Sequence, residues 1–333
     1  MYKKSDLIGY SPKMDSNMEQ ELRKEARKLL DEGKVDYIVG FVRGSLKFTA
    51  TPLITKDKEE VASLVINPFI VNNLARFLIE VPGRVGIVAK GCDSRSVVSL
   101  IQDNQVTRDD VVIIGVPCSG LIDIAKVEKL VNRDRDEIDD ITLQGEKVAV
   151  IIGGQKTELP AKEVLFEHCL GCESPTPEEY DILVGKPTNA IGDKELSLRR
   201  IKQLEDMVPE QRWAFWKEQL SRCIRCYACR QVCPACFCER CFVEESQPQW
   251  ISSVSQWQDN LMFQVIRNIH VAGRCTDCGE CERVCPQNIP LRSLSKKMSE
   301  LVDEMFHYKA GIDKAAPALM TAYEHVEAED LIM

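Results

Sequence analysis

Histidine is scarce in this chain: four in 333 residues, His168, His270, His307 and His325. None stands in a Ser/His/Asp arrangement or a His-Glu-x-x-His pattern, so hydrolytic chemistry has no local support. A GxGxxG fingerprint and a P-loop are both missing, which removes the local signals for dinucleotides and nucleotide phosphates. No apolar run approaches the length of a membrane span; the longest, Val148 to Gly154, is strand-sized. No secretory leader is recognisable at Met1, and a cytoplasmic location is expected. The formal charge is −9 and no basic, aromatic-interleaved patch offsets it, which argues against a nucleic-acid partner.

Cysteine, by contrast, is abundant, with 15 residues. Cys223-x2-Cys226-x2-Cys229-x3-Cys233-Pro234 is repeated, spacing for spacing, as Cys275-x2-Cys278-x2-Cys281-x3-Cys285-Pro286. In a run of this kind three thiolates hold one iron-sulfur cluster, and the fourth Cys, before Pro, serves the cluster of the other run. Cys223, Cys226, Cys229 and Cys285 are thus expected on one [4Fe-4S] cluster, and Cys275, Cys278, Cys281 and Cys233 on a second. Zinc ribbons use two separated Cys pairs, not two complete four-Cys runs each ending in Cys-Pro. So many thiols outside an oxidising compartment point to metal in preference to disulfides.

A folded segment separates the runs. Trp257, Leu261, Val265 and Ile269 recur at helical spacing before Cys275, and Leu291, Leu294, Met298, Leu301 and Met305 do so after Cys285. Over about residues 196 to 310 the chain resembles the helical ferredoxin domain of succinate dehydrogenase iron-sulfur subunits and heterodisulfide reductase small subunits.

Upstream, Ser16 is placed to cap a helix running to about Asp31, and 35–41 and 47–55 read as strands. Residues 66–80 read as a helix. Arg84 to Lys90 and Val111 to Pro117 form two apolar strands joined by a helix over 94–102, hence parallel neighbours with a right-handed crossover. Their following turns, with Cys92 and Cys118, then share the sheet edge where open α/β sheets carry their sites. A hairpin over 148–162, Cys169-x2-Cys172 and a strand near Asp181 to Gly185 follow. Four thiols in one domain can close a cubane; alternatively Cys92 and Cys118 are buried small hydrophobes and the Cys-x2-Cys is a zinc or redox pair.

Lys90-Gly91-Cys92-Asp93, Val116-Pro117-Cys118, and Cys169-x2-Cys172 followed by Asp181-Ile182-Leu183-Val184-Gly185 resemble the beta subunits of deazaflavin (coenzyme F420)-reducing hydrogenases and formate dehydrogenases. The resemblance spans about residues 30 to 185. It implies that Cys92, Cys118, Cys169 and Cys172 ligate a third [4Fe-4S] cluster. Family members that reduce the deazaflavin bind FAD with help from a glycine-rich stretch, where this chain offers only Gly40 and Gly44.

Cys236, Cys238 and Cys241 remain. They read either as packing residues and thiols near a cluster, or as an extra metal site completed by Cys233 or an outside ligand. Trp213 and Trp216 read as core beneath the cluster, and His168 and His270 as helix surface or as donors to cluster sulfur.

The expected organisation is an N-terminal arm and helix (1–28), an α/β domain with parallel strands (29–186), a mostly helical dicluster ferredoxin domain (187–310) and a helical, acidic C-terminal tail (311–333). The expected function is an iron-sulfur electron-transfer subunit of a multi-subunit anaerobic oxidoreductase complex, of the formate dehydrogenase, hydrogenase or heterodisulfide reductase kind. Its partners would be other subunits of that complex, with a ferredoxin or a flavoprotein subunit among them, and its role a relay of single electrons with no catalytic residue of its own. The alternative is a flavin-containing subunit that itself reduces deazaflavin or another soluble carrier.

Overall fold

The computed structural model describes residues 16–192 and 194–321; the arm expected before Ser16 and the end of the tail lie outside the described residues. The strands are β1 (Tyr37–Arg43), β2 (Ala50–Thr55), β3 (Val85–Ala89), β4 (Val111–Gly115), β5 (Asp140–Gln144), β6 (Lys147–Ile152), β7 (Gln155–Pro160) and β8 (Ile182–Leu183). The helices are α1 (Ser16–Asp31), α2 (Gly91–Gln102), α3 (Ile124–Val131), α4 (Ala161–Val164), α5 (Glu167–Leu170), α6 (Lys194–Glu205), α7 (Pro209–Ser221), α8 (Ala228–Gln231), α9 (Trp257–His270), α10 (Glu280–Arg283) and α11 (Leu291–Phe306).

The N-terminal part is a mixed, mostly parallel sheet in the order β2-β1-β3-β4-β8. Val85-Gly86-Ile87-Val88-Ala89 is buried along its whole length, the pattern of a strand covered on both faces. It pairs in parallel with β1 and, from Val85↔Val111 to Ala89↔Gly115, with β4. Only β2 runs antiparallel, as the partner of β1 at the sheet edge. Leu22 and Ala26 of α1 and Val97 and Leu100 of α2 pack into the same apolar core.

A second layer is wider than the expected hairpin: β5, β6 and β7 form a three-stranded antiparallel meander. The helix expected over 66–80 shrinks to a 3-10 segment, Leu74–Ile79. Pro68 removes a backbone donor early in that stretch. Asn73 bends the chain locally, its side chain accepting the Ala75 N–H at 3.1 Å.

The C-terminal part is helical, with α7 and α11 packed on α9 and α8 on α10. Its own buried apolar cluster is small: Leu220, Phe263, Ile289 and Leu291, with Cys229 and Cys281. Helix α9 lies where its periodicity places it but is rolled over. Val265 and Ile269 of the expected stripe are exposed, and the buried residues are Asn260, Phe263, Gln264, Arg267 and Asn268. Trp213, expected beneath the cluster, is 52% exposed and meets Trp257 edge-on.

Polar contacts join the two parts. Arg274 Nε and Nη2 reach the Asp103 carboxylate at 2.9–3.0 Å, and the Ser96 and Thr276 hydroxyls lie 2.9 Å apart in the interior. Arg200 bridges Glu167 of one part (2.7 Å) and Glu282 of the other (2.8 Å). Residues 311–321, expected to open a helical tail, fold instead as turns back over α2 that end in a 3-10 segment, Leu319–Thr321. Arg95 donates to Ala310 O and Gln102 to Asp313 O and Ala316 O. Among the described residues no helix is long and apolar enough to cross a membrane.

Candidate iron-sulfur centres

The two four-cysteine runs fold into the same loop. In the first, Arg225 and Tyr227 adopt left-handed backbone (φ 50° and 58°); in the second, Asp277 and Gly279 do so at the matching positions (φ 57° and 73°). Left-handed conformations at non-glycine residues are costly and persist where the surroundings over-determine them. Here they aim a backbone N–H at the sulfur two residues back, and in the first run the three thiols line one cavity. Arg225 N–H serves Cys223 in this way, Asp277 N–H serves Cys275 and Glu280 N–H serves Cys278. Donors of this kind favour the thiolate.

The fourth cysteine of each run crosses to the other. Cys223, Cys226, Cys229 and Cys285 line one cavity. Cys233 stands beside Cys275, Cys278 and Cys281, close enough to act electrostatically on all three.

The N-terminal cysteines meet at a third place. Cys92 opens α2 at the end of β3, Cys118 follows the adjacent β4, and Cys169 and Cys172 come from α5 and the turn beyond it. All four line one cavity, which is closed on the other side by Cys275, Thr276, Lys296 and Val302 of the helical part. Gly120 N–H serves Cys118, Ser174 N–H serves Cys172, and Leu121 N–H donates to Cys169 Sγ at 3.4 Å. Cys92 stands in the first turn of α2, which begins at Gly91; Cys118 has no helix start beside it. Five residues separate Cys118 from the start of α3.

Burial pushes the bare thiols up, Cys118 to about 11 and Cys281 to about 12. They need a metal to deprotonate them, and a coordinated thiol is deprotonated outright. Among the described residues no group of three or more His, Cys, Asp or Glu side chains could hold a single metal ion. A tetrahedral zinc would need its sulfurs roughly 4 Å apart, given Zn–S bonds of about 2.3 Å; the N-terminal thiols and those of the first run with Cys285 line cavities instead. Four-thiol sets, backbone donors to sulfur and buried cations together fit an anionic multi-iron cluster.

The cations are conspicuous among the buried residues. Lys90 and Arg267 are buried near thiols, and Arg292 and Lys296 flank Asp277. Lys90 donates to Asp93 at 2.7 Å and to Asn72 O at 2.9 Å. Burial alone would lower the pKa of its ammonium, but Asp93, Cys92 and Cys118 hold it above the ordinary lysine value.

Sequence reasoning missed Lys90 and Arg267 as parts of these centres and left His168 open between helix surface and a donor to cluster sulfur. His168 is half-buried, with Nε2 shielded from solvent and unpartnered, and desolvation followed by the nearby Arg292 lowers its pKa to about 3, so the ring is neutral. It abuts Gly279, where an added Cβ would lie 2.0 Å from Nδ1. His270, by contrast, lies on the surface. Of the remaining cysteines, Cys236 is tucked against Cys233 and Arg267, Cys241 lies beside Arg230, and Cys238 is exposed.

Residues 83–234 match the family model for the C terminus of the beta subunit of coenzyme F420 hydrogenase/dehydrogenase, and residues 219–289 match the model for a 4Fe-4S dicluster domain. The chain is 25% identical to the F420-dependent formate dehydrogenase subunit beta of Methanocaldococcus jannaschii, over 87% of this chain and 91% of that protein. It is 24% identical to the F420-dependent formate dehydrogenase 1 subunit beta of Methanococcus maripaludis, over 87% and 89%. Among solved structures, a chain of the F420-reducing [NiFe] hydrogenase complex from Methanosarcina barkeri aligns with a TM-score of 0.41 at 15% identity, over 64% of this chain and 91% of that one.

Proposed function

We propose that this chain, in which the C-terminal domain of a coenzyme F420 hydrogenase/dehydrogenase beta subunit is joined to a 4Fe-4S dicluster domain, is an iron-sulfur electron-transfer subunit that relays single electrons along three [4Fe-4S] clusters. The observation that carries this reading is the row in which the thiol sets stand. Cys275, from the second run, lines the cavity of the N-terminal four, and Cys278 acts on Cys92. Cys229 of the first run and Cys281 of the second both bear on Arg267. The order is therefore N-terminal set, second run, first run.

When bound, the clusters supply reversible one-electron chemistry. The chain's residues do the rest. Cys92, Cys118, Cys169 and Cys172 would hold one cluster, Cys275, Cys278, Cys281 and Cys233 the next, and Cys223, Cys226, Cys229 and Cys285 the last. Backbone N–H groups and buried cations balance the thiolate charge, and α11 with the turns after it covers the interface between the two parts. The proposed setting is a cytoplasmic complex in which other subunits carry the catalytic site, as the named relatives are themselves subunits of formate dehydrogenases.

One observation favours a second reading, in which the chain carries a flavin and itself reduces a soluble carrier. A cavity of about 700 Å³ lies beside Cys118, lined by Pro117, Ser119, Gly120, Lys186 and Thr188 where β4 and β8 end. Iron, acid-labile sulfide and extracted flavin, measured on the anaerobically purified chain, test both readings. Roughly twelve irons and twelve sulfides per chain support the relay. Stoichiometric flavin selects the second reading, and a colourless protein without sulfide refutes both.

A further inference from the structure

Helix α9 buries a polar face, and the centre of that face is Arg267. This guanidinium is 4% exposed. Its Nη2 donates to the Cys229 carbonyl at 3.2 Å, Nε and Nη1 have no oxygen partner, and the Cys236 thiol lies against the guanidinium. The other buried cations beside the cysteines lie against carboxylates: Lys90 against Asp93 and Arg292 against Asp277. Among the described residues no carboxylate lies within ion-pair distance of Arg267. Four thiols bear on it instead, Cys229 from one proposed cluster, Cys233 and Cys281 from the other, and the unassigned Cys236.

A buried guanidinium is always charged, and one left without an anion costs several kcal/mol. Its N–H groups are strong donors with no acceptor capacity. The partner that suits it is negative charge on the sulfur around it. Reduction adds one electron, and so one negative charge, to whichever cluster accepts it. A fixed positive charge that bonds the Cys229 carbonyl and acts electrostatically on ligands of both sets favours that step in both.

Building on the three-cluster reading, we infer that Arg267 is a positioning residue for charge, one guanidinium shared by the two clusters of the dicluster domain and raising the reduction potential of both. The remaining contacts of α9 hold it in place. Gln264 Nε2 lies 3.8 Å from Cys229 Sγ, Asn260 donates to Cys223 O at 3.0 Å, and Asn268 accepts from Ser295 of α11 at 2.8 Å. The helix is in this way tied to the first run and to α11, and Arg267 cannot swing to solvent.

The test is an EPR-monitored reductive titration of the full-length chain with a chemical reductant, in wild type, Arg267→Gln and Arg267→Lys. Signals absent from a Cys92→Ser variant identify the N-terminal cluster, which serves as the internal control. In Arg267→Gln both dicluster midpoints are expected to move negative by at least a tenfold change in equilibrium constant, about 59 mV for one electron, with the N-terminal signal unmoved. Arg267→Lys, which keeps the charge but not the fork, should fall between the two. Unshifted dicluster midpoints, a shift in one cluster only, or an equal shift in all three would overturn the inference. If Arg267→Gln fails to retain iron, Arg267→Met, a neutral side chain of similar length, decides: a negative shift of both midpoints supports the proposal and none defeats it. Absence of iron from the wild type would instead sink the three-cluster reading itself.

Discussion

The buried pair Lys90–Asp93 allows a quantitative test of how charge is balanced at the N-terminal set. The two side chains are 1% and 0% exposed and lie 2.7 Å apart. At an effective dielectric constant of about 20, which suits protein sites, their attraction is about 6 kcal/mol. Desolvation offsets most of that, so the pair as a whole adds little, but removing one partner strands the other and costs about 3–5 kcal/mol. The two removals are not equivalent. In Asp93→Asn the ammonium keeps the Asn72 carbonyl at 2.9 Å, the Phe41 ring 4.8 Å below it and the adjacent Cys92 and Cys118. In Lys90→Met a carboxylate is left beside the Cys92 and Cys118 sulfurs with the residue-90 backbone N–H, 3.1 Å away, as its remaining donor in this pair. Lys90→Met should therefore be the more destabilising, by at least about 1 kcal/mol, and the double variant should recover most of the loss. The corresponding coupling energy is about 3 kcal/mol, at the upper end for contacting residues. The assay is anaerobic guanidinium unfolding of the four proteins, followed by circular dichroism and by cluster absorbance. Equal costs for the two single variants, or a coupling below about 1 kcal/mol, would refute the reasoning.

The other predictions concern the thiols and what surrounds them. Cys92→Ser should lower the iron count by roughly four of twelve and leave the dicluster EPR signals in place; an unchanged count would remove Cys92 from the ligands. Cys236→Ser should leave the count unchanged, because Cys233 and not Cys236 stands among Cys275, Cys278 and Cys281; a loss of four irons would reverse that assignment. Gly279→Ala should cost iron at the second run, since its Cβ would collide with His168, whereas Tyr227 shows that the left-handed backbone alone admits a side chain. Stripping the clusters with a chelator should expose residues 196–310 to protease while the β1–β4 sheet persists, because the helical part has so small an apolar core of its own. Equal loss of both parts, by mass spectrometry of the fragments, would contradict this.

The grouping of the thiols was legible in the sequence to the extent that metal-ligand spacing is a covalent constraint. Cys-x2-Cys-x2-Cys-x3-Cys-Pro admits few loop geometries, and both copies adopt the same one. The β3 and β4 strands were legible for a comparable reason, as unbroken apolar runs that must be covered on both faces. Contacts made across long sequence separations were not. Nothing local to Arg274 points to Asp103, and nothing in 309–321 announces that it turns back over α2.

The roll of α9 is the more instructive failure. Reading a helix by its apolar periodicity presumes that what it covers is hydrocarbon. Beneath α9 lie thiols, carbonyls and donors, so the inward residues are Asn260, Gln264, Arg267 and Asn268, with Phe263 as the apolar filler. Their spacing is still helical, at i, i+3, i+4, i+7 and i+8, but it is written in polar letters. Helix α11 repeats the substitution: Arg292, Ser295 and Lys296 are buried on its inner side while Met305 is exposed. A helix whose amide and guanidinium residues recur with that period between two cysteine runs is therefore better read as facing a metal centre, with its apolar residues turned outward. This reading makes the polar periodicity a sequence signal for cations such as Arg267 that no ligand motif contains.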